Sequence, residues 1–496
     1  MSQKVTSGTF RWFFPWFLLA WTITVLPLFL HNSVPGVDTP NHLARLQVLA
    51  TLHERPALQD FYKINFVILP NLAIDLLITP ILMLTKINAL ILMKIFIANM
   101  IGLMGFGFAW VNREMTGKWS AYGLFGLCFA YSYILAFGFI NYLFGIALGL
   151  ICFALCLRLD AKPVSQNLFL VVAGPLLALN HLMAFGLFAL SFVGHRLFKP
   201  DHCYQGWPGL GIGTIIVLVL IKLSPVAQLA EVYWRPLGEH LLRLASPLVF
   251  GIEWRDFLFE GVLLVLIAYG AYKRSFKIPL EAKATGILFL LISLVAPHQA
   301  FTSAFIFTRI PVWLIMIYFA SVELPLRRVS VVLTILFLRS LDIGSRFLTM
   351  NPEIDLFKAD LGQIPSGSLV YHSVARGSGS LIPKGWNPSL LHANCLLLLE
   401  KDVYVSNLFT IEAQQPLIDQ PGIGNSWRDH YFRPPFEPGV QREVEQLRQH
   451  LQSLPNTKLR SRPAFLLVLK SEFQIPPAVP QLPIVTRPRY ALYRIQ

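Results

Sequence analysis

The chain has 496 residues, 55% of them hydrophobic and 14% charged, with a formal net charge of +14. Soluble globular domains carry about 25% charged residues. Together with a mean hydropathy of +0.57, these values exclude an ordinary soluble enzyme and point to a polytopic membrane protein. The basic residues lie mostly in short connections and toward the C-terminal end, as topogenic charge and headgroup attraction require. No nucleic-acid partner is expected, whereas a basic outward face would suit a phosphate-bearing ligand. The five cysteines include no CxxC and no Cys/His cluster, so neither a disulfide framework nor a structural zinc is expected.

The N-terminal run "MSQKVTSGTFRWFFPWFLLAWTITVLPLFL" has the basic start of a signal peptide, but no small-residue cleavage site follows its apolar stretch. It reads as a retained first span. The connection that follows, 32–68, holds "SVPGVDTPNHLARLQVLATL". Pro35 and Gly36 make a turn, Asp38 or Thr39 caps a helix and Pro40 takes its first position. Leu43, Leu46, Val48, Leu49 and Leu52 fall on one side, so the helix is expected along the membrane surface. Asp38, His42 and Arg45, spaced i, i+4 and i+7, share another face. Two readings of that face stand. In one, Asp38 is an N-cap and His42 and Arg45 are solvated. In the other, Asp38 is a catalytic carboxylate that takes a proton from an acceptor hydroxyl or ligates a divalent cation (Mg or Mn), with His42 in support and Arg45 on a phosphate.

A bilayer core takes about 20 apolar residues per helix. Runs of that kind occupy 12–31, 69–86, 88–111, 119–136, 139–158, 166–197, 209–225, 257–272, 284–299, 303–323 and 328–344, giving about eleven spans. The run 166–197 is read as one kinked crossing, with two half-helices as the alternative. Counted once, it places the N-terminus and the short basic connections "HRLFKPDH", "YKRSFKIPLEAK" and "ELPLRR" inside. The connections 32–68 and 226–256 and the C-terminal region then lie outside.

Ionisable residues at membrane depth are functional candidates. Asp75 is expected to pair with Lys94 of the next span. Asn180 and His181 interrupt the long run, and an interhelical hydrogen bond is their structural reading. Arg309, in "PHQAFTSAFIFTRIPVW", is about three turns from His298 and suits a lipid phosphate, because guanidinium pairs bidentately with phosphate. A pair with Asp38 or Asp75 is its alternative. The connection 226–256 gathers Glu231, Tyr233, Trp234, Arg235, Glu239, His240 and Arg243. Glu231, Trp234, Arg235 and His240 are candidate sugar or acceptor contacts, or part of an interfacial aromatic belt. Tyr142 and the small residues around it suit close helix packing.

Residues 345–496 are polar and proline-rich and contain no spanning segment, so they read as a separate mixed α/β domain. "GSLVYHSV", "DVYVSNLFT", "AFLLVLKSEF" and "RYALYRIQ" are patterned as strands. "LLHANCLLLLEK" and "PGVQREVEQLRQHLQSL" are patterned as helices. The domain plan is thus 1–344 transmembrane and 345–496 extracytoplasmic.

A first span, a long outside connection with an early acid and a surface helix, many further spans and a C-terminal α/β domain resemble the GT-C superfamily of membrane glycosyltransferases. "FYKINFVILPNLAIDLLITPILMLTKINALILMKIF" is similar to that family's entry into its second span. Many members carry paired acids in the first connection, whereas this chain has Asp38 without an adjacent acid. The resemblance implies transfer of a sugar from a polyprenyl-phosphate donor to a glycan, lipid or protein acceptor outside the membrane, with inversion and with the first-connection acid as base. Arg309, Arg45 and His298 would hold the donor phosphate. A bacterial inner membrane is the expected location. Two other classes compete. A carrier or flippase for a lipid-linked or anionic solute would use the broken 166–197 run as a midplane site. A non-catalytic scaffold would tolerate Asp38→Asn. There is no Walker A, HExxH or dinucleotide motif.

Overall fold

The structure, a computed structural model, describes residues 7–199, 204–225, 232–245, 247–251, 254–272, 279–300, 303–322, 328–375, 390–412, 414–421, 423, 440–470 and 483–496. Its helices, in chain order, are α1 (Ser7–Leu30), α2 (Thr39–Thr51), α3 (Pro56–Gln59), α4 (Ala73–Thr85), α5 (Ala89–Thr116), α6 (Tyr133–Phe137), α7 (Ile140–Arg158), α8 (Pro163–Asn180), α9 (Leu182–Leu197), α10 (Trp207–Leu223), α11 (Leu237–Ala245), α12 (Trp254–Tyr272), α13 (Leu280–Val295), α14 (Ile306–Ala320) and α15 (Val329–Leu361). Among the described residues four helices are long and apolar enough to cross a membrane, α1, α5, α7 and α8, and shorter apolar helices accompany them. This is the composition of an integral membrane protein.

The chain divides into two compact units, each assembled from separate stretches. The helical unit comprises Met1–His31, Val67–Ile74 and Lys94–Thr349. Its helices meet where side chains are small. A Cβ on Gly149 of α7 would sit 2.7 Å from the Trp313 ring of α14, and one on Gly145 would sit 2.5 Å from Ala184 of α9. Glycine at these positions lets the helices approach closely, as expected around Tyr142.

Two expected spans take other forms. Residues 119–136 form a 3-10 helix (Ala121–Phe129) followed by the single turn α6. The long run 166–197 doubles back. His181 leaves helical conformation (φ −164, ψ 117) and its Nδ1 accepts from the Met183 N–H at 3.2 Å, capping α9. At the far ends Arg196 of α9 donates to Gln166 of α8 at 2.8 Å, while Gln166 donates to the Cys156 carbonyl of α7. The run is therefore two antiparallel helices, and an orientation drawn from a single crossing does not follow from this fold.

The α/β unit comprises Asn32–Phe66, Asp75–Met93 and Met350–Gln496. Strands β1 (Tyr62–Ile64), β4 (Leu369–Ala375), β5 (Tyr404–Val405), β6 (Leu417–Asp419), β7 (Ala464–Lys470), β8 (Val485–Thr486) and β9 (Tyr490–Arg494) belong to it, and the hairpin β2 (Gln299–Ala300) and β3 (Ser303–Ala304) to the helical unit. The main sheet has the order β5-β4-β7-β9-β8, with β4 parallel to β5 and β7 and β9 antiparallel to its neighbours. The strand-patterned segments of the C-terminal region supply β4, β5, β7 and β9, and Val440–Ser453 is the expected helix α16. "LLHANCLLLLEK" contributes a 3-10 helix over Ala393–Leu399.

The first connection belongs to this unit's core. Ala44, Val48, Leu49, Leu52, Leu58, Phe61 and Tyr62 pack in one cluster with residues of the C-terminal region. Each large apolar side chain so buried contributes about 1.5–3 kcal/mol. β1 pairs antiparallel with β6, and the Tyr62 hydroxyl accepts from the buried Val405 N–H at 2.8 Å. Helix α15 runs unbroken past residue 344, where the expected domain boundary lay. The expected span over 69–86 is the 13-residue helix α4, about 20 Å long against a hydrocarbon core of about 30 Å. Both of its ends are tied to the first connection, through Asp75 to Arg45 and through Lys86 to Glu54.

Candidate active site around Asp38

Gly36 adopts φ +100, which a residue with a Cβ rarely tolerates. The turn delivers Asp38 to the start of α2, where its carbonyl accepts the His42 N–H at 3.0 Å. Asp38 occupies the N-cap position, yet its side chain makes no capping hydrogen bond. The carboxylate faces His392, with Oδ1 3.4 Å from Nε2. Its side chain retains 18% exposure and that of His392 4%.

His392 is held by amides. Asn41 Nδ2 lies 3.1 Å and Asn407 Nδ2 3.2 Å from its Nδ1. Asn41 Oδ1 accepts the Phe409 N–H at 2.7 Å, and its Nδ2 donates to the Asn407 carbonyl at 2.6 Å. Burial pushes the His392 imidazole down to about 3, so the ring is neutral at physiological pH. His42 is buried beside Phe409, ring centroids 5.3 Å apart. Burial, then the Arg45 charge, then His392 hold it well below its ordinary value, which makes it a neutral ring and a weak base. Its Nδ1 has no hydrogen-bond partner among the described residues.

Helix α2 is not the half-exposed surface helix expected. Asn41, His42 and Arg45 are buried together with Leu43, Leu46, Val48 and Leu49. Arg45 is fully buried and its fork grips Asp75, Nε to Oδ1 at 3.0 Å and Nη2 to Oδ2 at 2.9 Å. Asp75 thus pairs with Arg45 rather than Lys94, which instead donates to the His31 carbonyl at 2.5 Å. The guanidinium fork expected to face a phosphate is occupied by a carboxylate.

The remaining candidates lie in the helical unit. Arg309 is buried near the start of α14, its Nη1 2.9 Å from His181 Nε2 and its guanidinium 4.1 Å above the Phe139 ring. His298 donates its backbone N–H to the Tyr233 carbonyl at 2.7 Å and packs edge-on against Phe305. Trp234 is 57% exposed and donates to the Val295 carbonyl at 3.1 Å. Arg235 lies 3.8 Å from Glu239 and over the Tyr233 ring. His240 is buried, bonded to the Ser293 carbonyl at 2.8 Å. Glu231 lies outside the described residues.

The residues around Asp38 do not fit a protein-held cation. Among the described residues no three His, Cys, Asp or Glu side chains cluster as ligands, and a Mg or Mn ion would draw one carboxylate from Asp38. Sequence reasoning missed His392, Asn394 and Asn407. Their only local signal was polar residues at the head of an apolar run, "HAN" before "CLLLL", and the Asn of "SNLF".

No family model matches the chain, and no curated protein matches it by sequence. Solved structures do. ArnT from Cupriavidus metallidurans bound to undecaprenyl phosphate aligns with a TM-score of 0.54 at 11% identity, covering 99% of this chain and 98% of that one. The apo state of the same protein aligns with a TM-score of 0.52 at 11% identity, covering 99% of each chain. The likeness extends over nearly the whole length, and the chain has the fold of ArnT, a GT-C glycosyltransferase.

Proposed function

We propose that the protein is a membrane glycosyltransferase that moves a sugar from a polyprenyl-phosphate donor to a cell-envelope or secreted acceptor at the outer face of a bacterial inner membrane. The observation that carries this reading is a carboxylate at the head of a buried helix, released from capping and held by a neutral histidine, within a fold shared with a protein solved with undecaprenyl phosphate. Asp38 takes the proton of the acceptor hydroxyl as its oxygen attacks the sugar C1. The C1–O bond to phosphate breaks, its electron pair leaves with the polyprenyl phosphate, and the anomeric centre inverts. The leaving phosphate gains charge, which Arg309 is suited to receive from its buried, aromatic-walled position. His298 supports the donor side. The exposed Trp234 and the neighbouring Arg235 and His240 serve the sugar or acceptor. Asp38 serves this site as its general base.

The test is glycan or glycolipid output in a deletion strain complemented with wild type or Asp38→Asn at matched membrane levels. Wild type alone restoring the missing sugar supports the assignment. Full restoration by Asp38→Asn removes the base and the reading with it, leaving a carrier or scaffold.

A further inference from the structure

We propose that His392 is a positioning residue for Asp38, its Nε2–H aimed at one carboxylate oxygen by a cage of three asparagines, and that the C-terminal region thereby completes the catalytic site. This rests on the reading of Asp38 as the base. The assignment follows from backbone groups, whose donor and acceptor roles are fixed. The Phe409 N–H donates to Asn41 Oδ1 at 2.7 Å, so the other end of that amide is the NH2. That NH2 donates to the Asn407 carbonyl and lies 3.1 Å from His392 Nδ1. Asn407 Nδ2 donates to the Leu391 carbonyl at 3.1 Å, which fixes that amide the same way and sets its nitrogen 3.2 Å from the same ring atom. Asn394 closes the cage by exchanging hydrogen bonds with Asn407, 2.8 Å to its Oδ1 and 3.2 Å back.

A ring nitrogen that accepts an amide N–H is the unprotonated one, and the Asn41 NH2 supplies that N–H. The single ring proton is therefore on Nε2, which faces Asp38 Oδ1 at 3.4 Å. Phe409 braces the ring edge-on at 5.2 Å. The arrangement gives an N–H without a positive charge. It orients the carboxylate, and burial keeps the imidazole from competing for the proton. The groups lie far apart in the chain, Asn41 against His392, Asn394 and Asn407, and only the shared core of the α/β unit brings them together.

Glutamine and asparagine dissect the ring. His392→Gln carries an amide to the Nε2 position, whereas His392→Asn keeps the contact with the cage and withdraws the donor from Asp38. His392→Phe keeps the ring volume without either nitrogen. These three, Asp38→Asn, and the double variant Asp38→Asn/His392→Phe would be expressed at matched levels in membranes of the deletion strain. Initial rates of sugar transfer would be followed while the dose of the undecaprenyl-phosphate-linked sugar pool extracted from the same host is varied. His392→Phe and His392→Asn are expected to lower the maximal rate about 10–100-fold. The half-saturating dose should stay within about twofold, because a residue acting through Asp38 changes the chemical step and not donor binding. His392→Gln should recover to within about threefold. The double variant should match Asp38→Asn, since a residue acting through Asp38 has nothing left to act on.

Wild-type rates for His392→Phe and His392→Asn, with Asp38→Asn inactive, would overturn the positioning role and leave the base intact. Equal loss in His392→Gln and His392→Asn with a lowered melting temperature would make His392 a packing residue. Activity in Asp38→Asn would remove the base itself. If His392→Phe fails to accumulate, the Asn–Gln comparison decides the matter alone.

Discussion

Removing one half of the Arg45–Asp75 pair should be far more damaging than removing both. Both side chains are buried, 0% and 1% exposed, and two parallel hydrogen bonds join them. Asp75→Asn leaves a guanidinium inside the α/β unit without a counter-charge, which costs about 3–5 kcal/mol. Domain stabilities total about 5–15 kcal/mol. For a unit of about 200 residues each kcal/mol shifts melting by about 2–4 °C, so Asp75→Asn should lower it by roughly 6–20 °C. The double variant Arg45→Met/Asp75→Leu withdraws both charges and fills similar volume. It should regain most of that loss, because replacing a buried pair by apolar side chains is often neutral. Thermal melting of detergent-solubilised protein, followed with glycan output in the complemented strain, is the assay. A melting temperature for Asp75→Asn within about 3 °C of wild type would refute the reasoning, as would a double variant no better than the single one.

Three further outcomes are expected. Arg309→Lys keeps the charge and loses the planar fork, so the half-saturating donor dose should rise about 10–100-fold, given that hydrogen bonds to charged groups are worth about 1.5–3 kcal/mol; an unchanged dose would take Arg309 off the phosphate. Tyr62→Phe leaves the Val405 N–H buried without its acceptor and should destabilise the α/β unit by about 1–3 kcal/mol, visible as earlier melting; identical melting would contradict it. His372 is pushed down to about 3 by burial first and then by His392. Its unfolded form carries the extra proton below about pH 6.5, so stability is full above that value. It falls as pH drops toward 3, by about 1.4 kcal/mol per pH unit. His372→Gln should therefore flatten the dependence of melting on pH between about 7 and 4.5, and parallel curves for the two proteins would refute the assignment.

Local pattern was sufficient for whatever depends on local pattern. Hydropathy marked α1, α5 and α7 as apolar helices, and alternation marked β4, β7 and β9. Pro35, Gly36 and Pro40 predicted the turn and helix that begin at Asp38, and the order of elements was enough to suggest the GT-C fold. Pairing was not legible. Asp75 chose Arg45, 30 residues away, over Lys94, and Asp38 met His392 more than 350 residues later. Hydropathy also drew 69–86 longer than the 13-residue helix that forms there, and read 166–197 as one crossing where the chain doubles back. An apolar stretch records only that it is buried, whether in lipid or against protein, while length and tertiary ties decide which. The buried polar face of α2 shows the same limit. His42 and Arg45 look like a solvated stripe in sequence, and Asn41 is buried with them. They are tolerated inside because distant groups meet them: Asp75 neutralises Arg45, and the Asn407 carbonyl and the Phe409 N–H satisfy Asn41. Those partners converge only when the first connection and the C-terminal region fold around one core.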